Sequence, residues 1–170
     1  QQTGIVTLLT TNFPESLPFR LPVQDVYKFT EQGDERRIIA GTVATGVVKA
    51  GDPVLFLPSG KRSRIKTIEN FNVPPRERAG AGEAPGFTLE NQIYVKPGEW
   101  MVKEGESTPQ VSARFRVNLF WMGRAPMIKG KTYKIKLGAC RSIVKLVDVL
   151  AVIDATELSS ITNKQQIDRH

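Results

Sequence analysis

The chain has 170 residues, 40% of them hydrophobic, a mean hydropathy of -0.23 and a formal net charge of +7. That length holds one domain or two small ones with a buried core. No apolar run reaches membrane length, no signal peptide opens the chain, and the one cysteine, Cys140, excludes an internal disulfide and fits a reducing cytosol. The basic residues lie in scattered pairs such as Arg36-Arg37 and Lys61-Arg62. This favours a solvated basic surface, leaves a polyanion or acidic protein face as the alternative partner, and gives nucleic-acid binding no motif. The chain starts at Gln1 without an initiator Met, as a piece excised from something longer would.

Residues 1–12 hold Ile5, Val6, Leu8 and Leu9 near helical spacing in a stretch too short and Thr-rich to form a stable helix. Pro14, Pro18 and Pro22 make the next stretch an extended connector. Residues 22–29 alternate as a strand, and residues 30–35 form a polar loop around Gly33. Residues 36–57 are the organising stretch, two strands and a turn. Thr42, Val43, Thr45, Val47 and Val48 favour a pleated surface. Gly41 and Gly46 permit sharp curvature or close backbone approach, and Gly51 is free to take positive φ in the turn. A hairpin turn at residues 58–61 leads to a strand over 63–69 in which Ile65 and Ile68 alternate imperfectly. Pro74-Pro75 stiffens a loop over 72–78, short strands are expected at 84–89 and 91–95, and residues 100–102 close the unit. Strands at roughly 8–12-residue spacing with turns between them predict an all-β barrel or sandwich.

The polar, Gly-containing, Pro-ended stretch 103–109 is the expected domain boundary. Beyond it, residues 111–121 alternate over their whole length, with Val111, Ala113, Phe115, Val117, Leu119 and Trp121 on one side. This predicts the clearest strand in the chain. Residues 131–137 and 141–154 predict two more, and residues 155–169 have no strand pattern. Three strands cannot close a barrel. The second unit is therefore expected to be incomplete or completed by another chain, with an open edge that invites self-association. Trp100, Phe120 and Trp121 read first as core aromatics and second as a partner surface.

Residues 125–132, APMIKGKT, fit a loose phosphate-loop pattern with Ala in place of the first Gly. A working loop must feed a helix whose N-terminal amides face the phosphates. Here Thr132 opens an alternating strand, so a β-turn at Gly130-Lys131 is expected. The only histidine is the terminal His170, which leaves no plausible base for a nucleophile and no zinc set with Cys140. No catalytic, cofactor-binding or metal-binding residue is assigned. The structural or interface candidates are Arg36, Arg37, Gly41, Gly46, Gly51 and Trp121.

LPFRLPVQDVYKF followed by AGTVATGVVKAGDPVLFLPSG resembles the second domain of translation-factor-type GTPases, the elongation factor Tu superfamily. That domain is a β-barrel followed by a second one. Elongation factors usually carry Arg beside the glycine motifs, where this chain has Ala40 and Val47. RRIIAGTV, PSGKRSRIKTIENFN and ARFRVNLFWMGRAPMIKGKTYKIKLG resemble instead the GTPase subunit of sulfate adenylyltransferase (ATP sulfurylase), closest to the form often fused to adenylylsulfate kinase. The resemblance runs from about Pro18 to the C-terminus.

It implies a translation-factor-type β-barrel over residues 18–105 and an incomplete second β-barrel over 109–170. Residues 1–17 would be a connector or the tail of a GTPase domain. It also implies that GTP and Mg belong to that preceding domain, that these barrels relay the GTP state to the adenylyl-transferring subunit making adenylyl sulfate, and that the setting is cytoplasmic. The alternatives are barrels that contact tRNA in an elongation-factor-like GTPase, or a standalone β-barrel interaction module.

Overall fold

The computed structural model describes residues 15–28, 36–70, 73–153, 160–161 and 166–167. The expectation of near-helical spacing at 1–12 lies outside them. The described chain is all-β and antiparallel, and no helix among the described residues is long and apolar enough to cross a membrane. It divides into two compact units. Among the described residues, 15–113 with Gly138–Cys140 form the first, and Arg114–Leu137 with those from Arg141 onward form the second.

The first unit holds β1 (Arg20–Pro22), β2 (Asp25–Lys28), β3 (Arg37–Ala40), β4 (Val47–Lys49), β5 (Pro53–Leu57), β6 (Lys61–Asn70), β7 (Val73–Arg76), β8 (Arg78–Gly80), β9 (Gly86–Leu89) and β10 (Trp100–Lys103). Its sheet runs β1-β10-β5-β6-β9-β3-β2, β7 also pairs with β6, and β4 pairs with β8. β1 and β2 are one run of chain bent at Val23-Gln24. The Val23 amide donates to the Glu99 carbonyl beside β10, and the Gln24 amide donates to the Ala40 carbonyl at the end of β3, each at 2.8 Å. The two ends of that seven-strand path therefore meet in a single stretch and the path closes on itself, with β7 left as an edge strand on β6. The interior is filled by alternate residues: Val54 and Phe56 from β5, Met101 from β10, Phe87 from β9, and Phe19, Leu21 and Val23 along the bent run, all fully buried. After β10 the chain returns over β1, where the Phe19 amide donates to the Glu106 carboxylate at 2.6 Å and the Arg20 guanidinium donates to the Ser107 carbonyl. Partial burial lowers the Arg20 pKa, and the Glu106 charge opposes that.

The second unit holds β11 (Met127–Ile128), β12 (Thr132–Leu137), β13 (Cys140–Lys145), β14 (Val152–Ile153), β15 (Ser160–Ile161) and β16 (Gln166–Ile167), paired as β12-β13, β11-β16 and β14-β15. Its small core is Trp121, Met127 and Tyr133, with Leu119, Val144, Leu146 and Ile167 packed against it.

Several expected elements differ. Residues 111–121 form no strand, and Val111, Phe115 and Val117 are all exposed. Alternation makes a strand only where a neighbour supplies the ladder, and no described strand pairs here. Phe120 is exposed rather than core. Residues 36–57 form three short strands instead of two, because the chain leaves the ladder over residues 41–46, between β3 and β4. Residues 91–95 carry no strand. Pro74-Pro75 lies within β7, which pairs only with β6 and so has a side where missing amide donors cost no hydrogen bond.

Candidate functional site

Where β6, β9, β3 and β2 run side by side, the first barrel carries a cleft of about 310 Å³. Its apolar lining is Val26, Ile39, Leu89 and Ile93, all of which belong to or pack on the barrel core. Its charged lining is Arg36, Arg37, Lys66, Glu69 and Glu90.

The cleft exists because of a bulge. Ile65 pairs with Leu89 and Thr67 pairs with Thr88, so Lys66 is an extra residue on β6. A bulge bends its strand and re-aims the side chains beside it. Here it lets Ile65 and Ile68, three residues apart, both enter the core, while Lys66 and Thr67 both line the cleft. Thr67 donates to the Glu69 carboxylate at 2.7 Å, and the Thr67 and Thr88 hydroxyl oxygens lie 2.5 Å apart. With the Thr67 proton committed to Glu69, the buried Thr88 hydroxyl donates to Thr67. This chain of hydroxyls holds the Glu69 carboxylate in place. Glu90 pairs with Arg64 at 3.8 Å with both groups about half exposed, an ion pair of little energetic weight. Cations and ordered hydroxyls beside an apolar lining suit a binding surface for an anionic group on a partly apolar body.

Of the residues singled out in the sequence, Arg36 and Arg37 line this cleft. The glycines do not; they hold the barrel's shape. A Cβ on Gly41 would stand 2.5 Å from the Pro22 carbonyl oxygen and 2.8 Å from Leu21 Cδ2. Gly46 has φ +76°, and a Cβ there would stand 2.5 Å from the Phe19 Cα and amide nitrogen. Gly51 turns at φ +86° in open space. Trp121 sits in the core of the second unit, donates its indole N–H to the Ala125 carbonyl at 2.7 Å, and packs edge-on to Tyr133 at 5.6 Å. Sequence reasoning missed Lys66, Thr67, Glu69 and Thr88. The one signal was the three-residue spacing of Ile65 and Ile68, which a bulge-free strand cannot place on one face.

The phosphate-loop-like stretch runs through β11 into a turn. Gly130 has φ +85°, its amide donates to the Leu146 carbonyl at 2.8 Å, and the Lys131 amide donates to the Ile128 carbonyl at 3.2 Å. It leads into β12 and not a helix, so no helix N-terminus faces a phosphate.

No family model matches the sequence. Sulfate adenylyltransferase subunit 1 of Chromobacterium violaceum is 41% identical over 143 residues, covering 81% of this chain and 29% of that protein. The chain thus spans 24% to 35% of the length of the curated relatives it matches. Sup35 complexed with GDP superposes with a TM-score of 0.70 at 13% identity, covering 91% of this chain and 37% of that one. The bacterial selenocysteine-specific elongation factor EF-Sec superposes at 0.56 with 24% identity, covering 82% and 22%. At these identities the solved structures speak to fold alone, and that fold is the translation-factor β-barrel.

Proposed function

Starting from a chain related over most of its own length to sulfate adenylyltransferase subunit 1, we propose that it is a non-catalytic β-barrel segment of a sulfate-activating GTPase subunit. In that reading a GTPase domain binds GTP and Mg, and a partner subunit makes adenylyl sulfate from ATP and sulfate. The closed barrel is a rigid body between the two and passes the nucleotide state from one to the other. The observation that carries the reading is the 41% identity to subunit 1, and the cleft supports it. Arg36, Arg37 and Lys66 surround an apolar lining and suit contact with another surface.

The test is a chimera in which this segment replaces the matching segment of the Chromobacterium violaceum protein, assayed with its partner subunit for both GTP hydrolysis and adenylyl sulfate formation. Relay predicts that Arg36→Ser with Arg37→Ser leaves basal GTP hydrolysis in place and lowers GTP-dependent adenylyl sulfate formation at least ~tenfold, the size of an ordinary coupling free energy. Loss of both activities in parallel, or of neither, would sink the reading.

A further inference from the structure

The chain's charge is unevenly placed. Residues 114–153 hold nine of the 24 Lys and Arg against one carboxylate, Asp148, while the rest of the chain holds fifteen against sixteen. The whole excess of positive charge therefore lies in this stretch of the second unit. Lys129 takes Asp148 at 2.8 Å, and Asp148 is the one carboxylate among the described residues of that unit. All nine are exposed.

The same stretch exposes large apolar side chains, with Phe120 at 92%, Met122 at 78%, Ile143 at 72% and Phe115 at 53%. Single exposed apolar residues are ordinary, but several in one small unit mark an interaction surface. We propose that residues 114–150 form a docking surface for another protein, one that presents an acidic face with apolar groups at its centre. Phe, Met and Arg together are the composition of protein interfaces, where an apolar centre is ringed by polar groups. Nucleic-acid contacts are more polar and need no such apolar exposure. A second copy of this chain is a poor occupant, since it would set this strongly basic stretch against another of the same sign.

The test uses the 170-residue chain and two probes, a glutamate-rich copolymer of glutamate and tyrosine, and a short DNA duplex of matched charge. Two paired variants separate the contributions. Lys134→Glu with Lys136→Glu reverses charge on the face of β12 opposite the buried Tyr133. Phe120→Ser with Met122→Ser removes apolar surface at fixed charge. Near-UV circular dichroism, in which Trp121 and Trp100 both contribute, checks that each variant keeps its packed aromatic environment. The expected result is that the copolymer binds the parent chain and that each paired variant weakens it at least ~tenfold, as truncation of central interface residues does. The serine variant should leave the weaker DNA binding unchanged. Copolymer binding insensitive to the serine variant, DNA bound more tightly than the copolymer, or no copolymer binding at low salt would each overturn the proposal.

Discussion

Replacing Gly46 by Ala isolates what the closed barrel demands of its backbone. Gly46 has φ +76°, a conformation that L side chains rarely adopt, and the added Cβ would stand 2.5 Å from Phe19 Cα and N and 2.6 Å from the Leu17 carbonyl oxygen. All three are backbone atoms, so no rotamer change relieves the clash, and Phe19 is itself fully buried. The left-handed backbone costs about 1–2 kcal/mol and the overpacking about 1–3 kcal/mol. The sum is roughly 2–5 kcal/mol, which for a domain of this size lowers the melting temperature by roughly 8–40 °C. Gly51→Ala is the matched control. Its φ is +86° and its Cβ would meet nothing within 4 Å, so only the backbone term of about 1–2 kcal/mol applies. Differential scanning calorimetry of the three chains gives the comparison. If Gly46→Ala melts no lower than Gly51→Ala, the tight approach of Gly46 to Phe19 is not a feature of the fold.

Gly41→Ala should destabilise by about 1–3 kcal/mol through its clash with Pro22 and Leu21, read from the same calorimetry; an unchanged melt would contradict the closeness of those strands. Thr88→Val removes the hydroxyl that bonds Thr67 at 2.5 Å and should cost about 0.5–1.5 kcal/mol; a neutral result by urea unfolding would show that the hydroxyl chain holds nothing. Asp148 has its carboxylate pKa lowered first by the hydrogen bond from Lys129, then by that group's charge and the Val149 amide. A carboxylate with a depressed folded pKa contributes stability above its unfolded pKa and loses it as pH falls through the folded one. The Asp148 carboxyl resonance should therefore titrate below the ordinary aspartate range in the parent and move up in Lys129→Ala; the same midpoint in both would refute the pairing.

The barrel was legible where side-chain pattern and ladder agree. Val54 and Phe56 alternate in sequence and both face inward from β5. Legibility failed at residues 111–121, where the pattern is as regular but no described strand lies alongside; alternation records which side chains prefer burial and says nothing about who supplies the hydrogen bonds. It failed again at Lys66. A bulge depends on the register of a strand that comes some twenty residues later, Gly86–Leu89, and only the odd spacing of Ile65 and Ile68 hinted at it. Arg36 and Arg37 stood out as a basic pair, but Thr88, Glu69 and Lys66 join them only through the closure of the sheet.

The most direct test of a segment without nucleotide chemistry of its own is isothermal titration of the 170-residue chain with GTP and with ATP in the presence of Mg. With Gly130 and Lys131 turning into β12 rather than a helix, neither titration should give saturable heat. Micromolar binding of either nucleotide that is lost on Lys131→Ala would contradict that reading.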